Sequence, residues 1–285
     1  MHERAAKPTE GQTTVSVDCY IDCWEGSYRD LLVPSVLGQR YAAHHHPFAR
    51  RVLTINNVDD PRDVVARADA AVARDECDAY VFVADALPMA LERCGLRMAD
   101  ILPVRHFVDF HLVTVATATA EYVLHNAGDV ELAQPFDWVS DAVTRLEQQQ
   151  RYLVAAPNFL SHPGLIERES LRFDAPYWVG YGFTDQCFLG ATQRLAAPIY
   201  REWNLVSNRY PMAHIGRIFE ARIDAYMRNH KLLRITDSRI GYVHQATHGE
   251  GHTHFQGPTL ARLAHLPLKL AGSLRWRLGG RRPVF

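Results

Sequence analysis

Short apolar runs alternate with amphipathic stretches through the first half of the chain. Runs of β-branched and aromatic residues bounded by Gly, Pro, Asn or Asp are typical of strands, and apolar residues three or four apart are typical of helices. The runs that predict strands are Thr13–Ile21, Arg51–Ile55, Ala79–Val83 and Glu121–His125. The stretches that predict helices are Tyr28–Gln39, Pro61–Arg74, His111–Thr119 (a helix, or a helix and a turn) and Phe136–Gln149.

This alternation predicts an α/β fold with a mostly parallel, Rossmann-like sheet flanked by helices. Right-handed crossovers bring the carboxyl ends of successive parallel strands to one edge of such a sheet. Ligands bind at that edge in open α/β folds. The polar residues that we expect to converge there are Asp18, Asn56, Asn57, Asp59 and Asp129.

Beyond Arg151 the pattern is mixed, and Pro157–Trp178 has the composition of loops. The predicted strands here are Leu153–Ala156, a short piece at Cys187–Leu189, Leu232–Ile235 and Ile240–Val243, and the predicted helices are Ala197–Asn204 and Ile215–Asn229. We expect one domain over residues 13–255, divided at residue 150 into a regular and a mixed half. Residues 1–12 are expected to be a disordered N-terminus, and residues 256–285 a basic amphipathic tail.

Composition and charge narrow the functional classes. With 285 residues and 47% hydrophobic content, the chain can bury a substantial core. A formal net charge of −1 argues against general affinity for nucleic acid. The five cysteines contain no C-x-x-C pair, so neither a disulfide framework nor a cysteine zinc site is indicated. No leader-like or membrane-spanning apolar run is visible, so we expect a cytoplasmic protein.

The segment Tyr122–Leu132 carries a chemical signal. An apolar strand leads into a polar turn that ends in Asp129, which puts a carboxylate at the carboxyl end of the strand. Acid-containing turns are also common in solvated loops that bind nothing. Taken alone, the segment leaves a ligand site and a solvated turn as alternatives.

Five segments share features of one enzyme family, in order along the chain: Val33–Gln39, Val52–Asp60, Ala127–Asp129, Phe219–Asp224 and Ile240–His244. They resemble the first helix, the second strand with the acidic turn that receives the nucleotide base, the Asp-x-Asp motif, the acidic helix and the closing strand of glycosyltransferases of the GT-A fold, family 2. The resemblance implies sugar transfer from a nucleotide-diphosphate donor to an acceptor hydroxyl on a glycan, a lipid-linked molecule or a small molecule. Residues 13–150 would be the nucleotide-binding half, and residues 151–255 the acceptor half.

The resemblance also implies roles for single residues. Asp129 would coordinate a divalent cation, Mn²⁺ or Mg²⁺, on the donor diphosphate, and His244 would complete that site. Ala127 stands where the family has the first acid of its motif, so His125 or Asn126 is the candidate for the ribose contact. The candidate nucleotide contacts are Asp18, Asn56, Asn57 and Asp59.

In the family, an acid on the helix before the last core strands deprotonates the acceptor hydroxyl in an inverting transfer. Glu220 is the candidate for this general base. Asp224, one helical turn later, is the reserve candidate, and Asp185 is a further acid to test if Glu220 fails. A solvated helix carboxylate paired with Arg217 or Arg222 is the alternative interpretation of Glu220.

Other functions stay open beside this one. A catalytically silent module that binds a nucleotide sugar or a protein partner is consistent with the missing acid at Ala127. A nucleotidyltransferase would share an α/β nucleotide crevice, although it usually carries a Gly-rich basic phosphate loop that Asp18–Ser27 lacks. A dehydrogenase is disfavoured because no G-x-G-x-x-G follows the first strand.

Histidine clusters and a basic tail are further candidate features. His44–His46 is expected to be exposed loop, and His248–His254 to be either a flexible loop that closes over the nucleotide or a zinc site. Leu260–Phe285 combines leucines with arginines and a lysine. This tail predicts either a helix packed on the domain or peripheral attachment to the inner, anionic face of a membrane.

Overall fold

The computed structural model describes residues 15–162, 164–210, 215–244, 269–275 and the single positions 267 and 277. Its strands are β1 (Val17–Cys23), β2 (Arg50–Ile55), β3 (Ala79–Phe82), β4 (Tyr122–Asn126), β5 (Val130–Leu132), β6 (Tyr152–Phe159), β7 (Ser170–Asp174), β8 (Tyr177–Gly180), β9 (Cys187–Ala191) and β10 (Leu233–His244). The predicted disordered segment 1–12 and the histidines of 248–254 lie outside the described residues.

Helices are spread along the whole of this chain. The α-helices are α1 (Tyr28–Leu31), α2 (Val36–Ala42), α3 (Pro61–Ala73), α4 (Val83–Arg93), α5 (Met98–Ile101), α6 (Asp109–Thr117), α7 (Val139–Gln148), α8 (Leu165–Glu169), α9 (Thr192–Leu195) and α10 (Phe219–Asn229). Short 3₁₀ segments occur at Arg105–Phe107 and Leu205–Arg209. Residues 269–275 are also helical.

One continuous sheet contains all of these strands, in the order β3-β2-β1-β4-β9-β6-β10-β8-β7, with β5 also paired to β10. The strands β1 to β4, β6, β7 and β10 run in one direction, and β5, β8 and β9 run in the opposite one. The predicted class, an α/β fold with a mostly parallel sheet flanked by helices, is therefore confirmed.

The centre of the sheet is buried on both faces. Every residue of β1 is buried, including Asp18 and Asp22, which alternate with the apolar positions of the strand. Parallel pairing of β1 with β2 and β4 aligns Cys23 with Ile55 and Ile21 with Asn126. The strand ends that follow these pairs therefore meet at one edge, as the sequence pattern predicted.

Two predicted helices differ from the structure. The stretch Tyr28–Gln39 forms α1 and α2, with Pro34 between them, because proline lacks the N–H that a continuous helix would need. The helix predicted at Ala197–Asn204 is wrong. The backbone carbonyls of Tyr200, Arg201 and Glu202 accept hydrogen bonds from the Arg217 guanidinium instead of from a following turn.

The second half is more regular than its sequence suggested. The predicted loop-rich stretch 157–178 contains α8, β7 and the first two residues of β8. The two short strands predicted near the end are one strand, β10, whose register against β6 shifts between Asp237 and Gly241. The polar residues between those positions belong to that irregularity, which explains why the sequence pattern breaks there. α4 was missed because Pro88 interrupts its helical pattern.

Candidate functional site

Two chain segments make a close contact at the carboxyl edge of the sheet. Asp22 is the second-last residue of β1, and the turn Ala127–Asp129 follows β4. The Gly128 N–H donates to Asp22 Oδ1 over 3.3 Å. A β-carbon on Gly128 would overlap the carbonyl oxygen of Asp22, so only glycine permits this approach. The contact sets the position of Asp129 beside the end of β1.

Asp129 has a histidine partner from the far end of the chain. The Nε2 atom of His244, the last residue of β10, lies 3.0 Å from Asp129 Oδ2. The hydrogen bond with Asp129 raises the pKa of His244 above its ordinary value, and Asp185 adds to this effect. The side chains are 30% and 19% exposed, so a ligand can reach them.

A second pair of acids lies next to this one. Asp185 precedes β9, Glu220 is in the first turn of α10, and their carboxyl groups are hydrogen-bonded to each other. Burial, reinforced by Asp185, raises the pKa of Glu220 well above its ordinary value. Burial also raises the pKa of Asp185, to about 6. Of the two carboxyls, Glu220 therefore favours its protonated form more strongly than Asp185 does.

Asp22 belongs to the same group of acids. Burial and then the charge of Asp129 raise its pKa to about 8, with Asp185 adding a smaller effect. Burial is the main cause of the raised pKa values of Asp22, Asp185 and Glu220, and the charges of neighbouring acids add to it. Such a group of acids favours an added cation or the transfer of a proton. We call Asp22, Asp129, Asp185, Glu220 and His244 the acidic cluster.

Buried aromatic side chains lie next to the acidic cluster. His125 Nε2 lies 3.7 Å from Asp22 Oδ1, and burial lowers the pKa of His125 to about 3. His111 stacks on Phe219, the residue before Glu220, with ring centroids 4.6 Å apart. Asn126 donates its amide to the carbonyls of Ala127 and Val130 and so shapes the turn. Because His125 and Asn126 are fully buried, their placement does not favour the predicted ribose contact.

The predicted nucleotide contacts after β2 lie at the same edge. Asn57 and Asp59 are exposed; the Glu25 N–H donates to the Asn57 carbonyl, and the Glu25 carboxylate accepts from the Asp59 N–H over 2.8 Å. Asn56 is buried and donates its side-chain amide to Asp109 over 3.3 Å. Asp109 also accepts from Arg105 over 3.1 Å. The Arg105–Asp109 pair was not predicted, because its only local signal in the sequence is two opposite charges four residues apart.

Asp18 is not brought to this edge. It lies at the amino end of β1, where its Oδ2 accepts hydrogen bonds from Arg50 over 2.9 Å and from the N–H groups of Thr119 and Ala120. The first strand was predicted over Thr13–Ile21, with its end near Asp18 to Asp22, and β1 ends at Cys23. Asp22, and not the predicted Asp18, therefore lies with the other polar residues at the carboxyl edge of the sheet. Asp18 has a structural role at the amino end of β1.

Asp224 is also separated from the acidic cluster. It is fully buried and accepts hydrogen bonds from Ser207 (2.6 Å), Arg209 (2.7 Å), Arg228 (2.9 Å) and the Gly182 N–H (3.0 Å). Burial alone would raise its pKa, but the two arginines outweigh burial and lower it. A saturated carboxylate with a lowered pKa is a poor proton acceptor, so the contacts of Asp224 fit a role in joining α10 to Gly182 and to the segment Leu205–Arg209 better than that of a reserve base.

The histidines of 44–46 differ from the expected exposed loop. His44 is buried, and its Nδ1 accepts a hydrogen bond from Trp138 Nε1 over 3.1 Å. Burial lowers the pKa of His44 to about 3. A cavity of about 290 Å³ beside His44 is lined in part by Arg40 and Asn126. His44 thus belongs to the protein interior, whereas His45 is exposed.

Two side chains of the acidic cluster, Asp129 and His244, are suitable ligands for a divalent cation. Among the residues that the structure describes, no three His, Cys, Asp or Glu side chains are arranged to hold one metal ion. Mg²⁺ and similar ions that carry phosphates commonly take only one or two protein ligands. The partly exposed Asp129 carboxylate and His244 imidazole fit such a site.

In the part of the chain that the structure describes, no helix is long and apolar enough to cross a bilayer.

Some solved structures are similar to this chain in backbone fold, with low TM-scores. No protein-family model matches this chain, and no curated protein matches it in sequence. Mycobacterium tuberculosis glucosyl-3-phosphoglycerate synthase with Mg²⁺ and uridine-diphosphate has a TM-score of 0.37 at 11% identity, over 63% of this chain and 57% of that one. A further crystal structure of that enzyme gives a TM-score of 0.41 at 11% identity, over 92% and 80%. The galactosyltransferase LgtC, with donor and acceptor sugar analogues, gives 0.35 at 15% identity, over 63% and 59%.

Proposed function

We propose that this protein is a glycosyltransferase that moves a sugar from a nucleotide-diphosphate donor to an acceptor hydroxyl. One observation carries the proposal: four carboxyl groups and a histidine from five separate parts of the chain meet at the carboxyl edge of the sheet. The fold alone would not support it, because one α/β architecture serves many reactions. The chemistry of the cluster is what sugar transfer needs.

The donor half of the reaction is assigned to the edge between β1, β2 and β4. Asn57 and Asp59 are exposed there and would contact the nucleoside. Arg105 is held near Asn56 by Asp109, and its guanidinium would meet a phosphate of the donor. Asp129 and His244 would hold the divalent cation, whose charge neutralises the leaving diphosphate.

The acceptor half is assigned to the Glu220–Asp185 pair. The two carboxyls share a hydrogen bond, and burial favours a proton on Glu220, which leaves Asp185 as the carboxyl that can take up a further one. The acceptor oxygen would attack the anomeric carbon while the bond from that carbon to the diphosphate oxygen breaks. Its proton would pass to Glu220, the general base, while the proton that Glu220 shares with Asp185 moves to Asp185. Attack opposite the leaving group inverts the anomeric centre.

One observation favours a second candidate, a catalytically silent module that binds a nucleotide sugar. Glu220 favours its protonated form and is hydrogen-bonded to Asp185, so it can accept a proton only when its own proton moves to Asp185. A binding module would tolerate this state permanently. A transferase has to leave it when both substrates are bound.

Donor binding and donor consumption separate the two candidates. The purified chain would be screened by thermal shift with uridine-, guanosine- and thymidine-diphosphate sugars, with and without Mn²⁺, since a ligand at 100 times its Kd adds about 2.7 kcal/mol of stability. Release of nucleoside diphosphate would then be followed with pooled sugar and lipid-linked acceptors. Binding with release supports the transferase, and binding without release supports the silent module. Failure to bind any nucleotide would remove both.

A further inference from the structure

The helical segment 269–275 is fixed to the domain through a glycine. A β-carbon on Gly272 would overlap the carbonyl oxygen of Leu205 and would lie 3.4 Å from both the Arg209 nitrogen and Asn208 Cβ. Gly272 is buried, so this helix face rests directly on the 3₁₀ segment Leu205–Arg209. The contact determines which side of the helix faces outward.

The outward side carries large apolar residues. Leu270 and Leu274 are 62% and 57% exposed. They are one turn apart, and each is two positions from Gly272, which is about 200° around the helix from the docked face. Trp203, two residues before the Leu205 contact, is 51% exposed. Leucines that a docked helix turns away from the protein have no folding role in the isolated chain, so they indicate a partner.

Charge around these leucines identifies the kind of partner. Arg275 and Arg277 are exposed on the same segment. Residues 260–285 contain six basic residues and no Asp or Glu. A leucine face bordered by arginines fits the boundary between the acyl chains and the headgroups of an anionic bilayer. A second copy of this chain fits less well, because its equivalent surface carries the same positive charge.

We propose that this leucine–arginine face, Leu270, Leu274, Arg275 and Arg277, attaches the protein to an anionic membrane surface. The helix lies in the interface and does not span the bilayer. This attachment does not depend on the proposed transfer reaction, since neither donor nor acceptor takes part in it. The segment Leu205–Arg209 beneath the helix also supplies Arg209 to Asp224 of α10, so the membrane would lie on the side of the domain that carries this segment.

Flotation of the full chain with lipid vesicles tests the proposal. Vesicles of phosphatidylcholine alone would be compared with vesicles that also contain phosphatidylglycerol. We expect binding to the mixed vesicles only, and weakening as salt is raised. Leu270→Ser with Leu274→Ser should reduce partitioning about tenfold or more, through lost apolar burial. Arg275→Gln with Arg277→Gln should reduce it about thirtyfold, since each basic residue contributes about 1 kcal/mol near such a surface.

Matched controls make the result interpretable. Leu102→Ser and Phe173→Ser remove exposed apolar residues elsewhere (55% and 49% exposed) and should leave binding unchanged. The substituted leucines are exposed, so the variants should fold, which circular dichroism would verify. Absence of vesicle binding, or equal binding by the leucine variant, would overturn the proposal. A concentration-dependent dimer lost in the leucine variant, seen by light scattering without vesicle binding, would instead assign the face to a second copy.

Discussion

The Nε2 atom of His244 lies 3.0 Å from the Oδ2 atom of Asp129, and this contact joins the end of β10 to the turn after β4. The contact pairs a base and an acid that both reach solvent. It is the part of the acidic cluster best suited to share a cation with a ligand, because the other three carboxyls are more deeply enclosed or bonded to one another.

Asp129→Asn should remove the effect of Mn²⁺ on nucleotide binding. The amide keeps the size of the side chain but loses the charge that a cation needs, and His244→Ala should weaken the effect about 10- to 100-fold. Calorimetry with uridine diphosphate, with Mn²⁺ or with chelator, measures this. Glu92→Gln on an exposed helix face is the control. Nucleotide binding that chelator does not change in the wild type would contradict a cation at this site.

Glu220→Gln should keep donor binding and lose transfer. The glutamine amide can still donate to Asp185, so the local structure is preserved, while removal of a positioned base costs about 10²- to 10⁴-fold in rate. Turnover with the true acceptor is compared with that of Glu167→Gln, an exposed glutamate on α8. Wild-type turnover in Glu220→Gln together with an inactive Asp185→Asn would transfer the role to Asp185.

Gly128→Ala should destabilise the protein and displace Asp129. The added methyl group overlaps the Asp22 carbonyl oxygen, and overpacking of this kind costs about 1–3 kcal/mol. Chemical denaturation gives the change in the free energy of unfolding, and calorimetry gives the loss of nucleotide binding. Gly38→Ala is the matched control in α2, because its β-carbon would lie no closer than 3.3 Å to Glu76. Equal stability of the two variants would show that the 127–129 turn adapts.

His44→Gln should change how stability depends on pH. The folded protein keeps His44 neutral down to a pKa of about 3, whereas the unfolded chain protonates it near its ordinary value of 6.5. The unfolded state therefore binds more protons between these values, so the contribution of His44 to stability is lost as pH falls below 6.5. The slope is at most about 1.4 kcal/mol per pH unit.

Glutamine does not titrate and can still accept from Trp138, so the variant should have a shallower acid loss of unfolding free energy between pH 6.5 and 4.5. Urea titrations at several pH values provide the comparison. Parallel curves for wild type and variant would contradict the buried, neutral state of His44.

The regular half of the fold could be predicted from sequence because its signals are local. β2 and α3 match the predicted Arg51–Ile55 and Pro61–Arg74 within one residue, since turn residues bound the strand and Pro61 opens the helix. The mixed half could be predicted less well. Arg217 binds the carbonyls of 200–202 from a distance in sequence, and no local pattern reveals that contact.

The candidate site shows the same division. Asp129 was found because a polar turn follows an apolar strand, a pattern visible within a few residues. Asp22 was missed because it is part of a fully buried strand and reads as an interruption of it. Asp224 was overvalued because its arginine partners become visible only when the segment Leu205–Arg209 packs on α10.

The position of β10 has a consequence for how the chain folds during synthesis. β10 is the last strand among the described residues, yet it lies inside the sheet between β6 and β8. Until residues 233–244 leave the ribosome, β6 and β8 each lack a neighbour, and unpaired edges are templates for aggregation. Strand pairs this distant in sequence also form slowly. Before β10 is synthesised, the nascent chain therefore has the greatest need of a chaperone that prevents aggregation. This stage ends when His244 has left the ribosome.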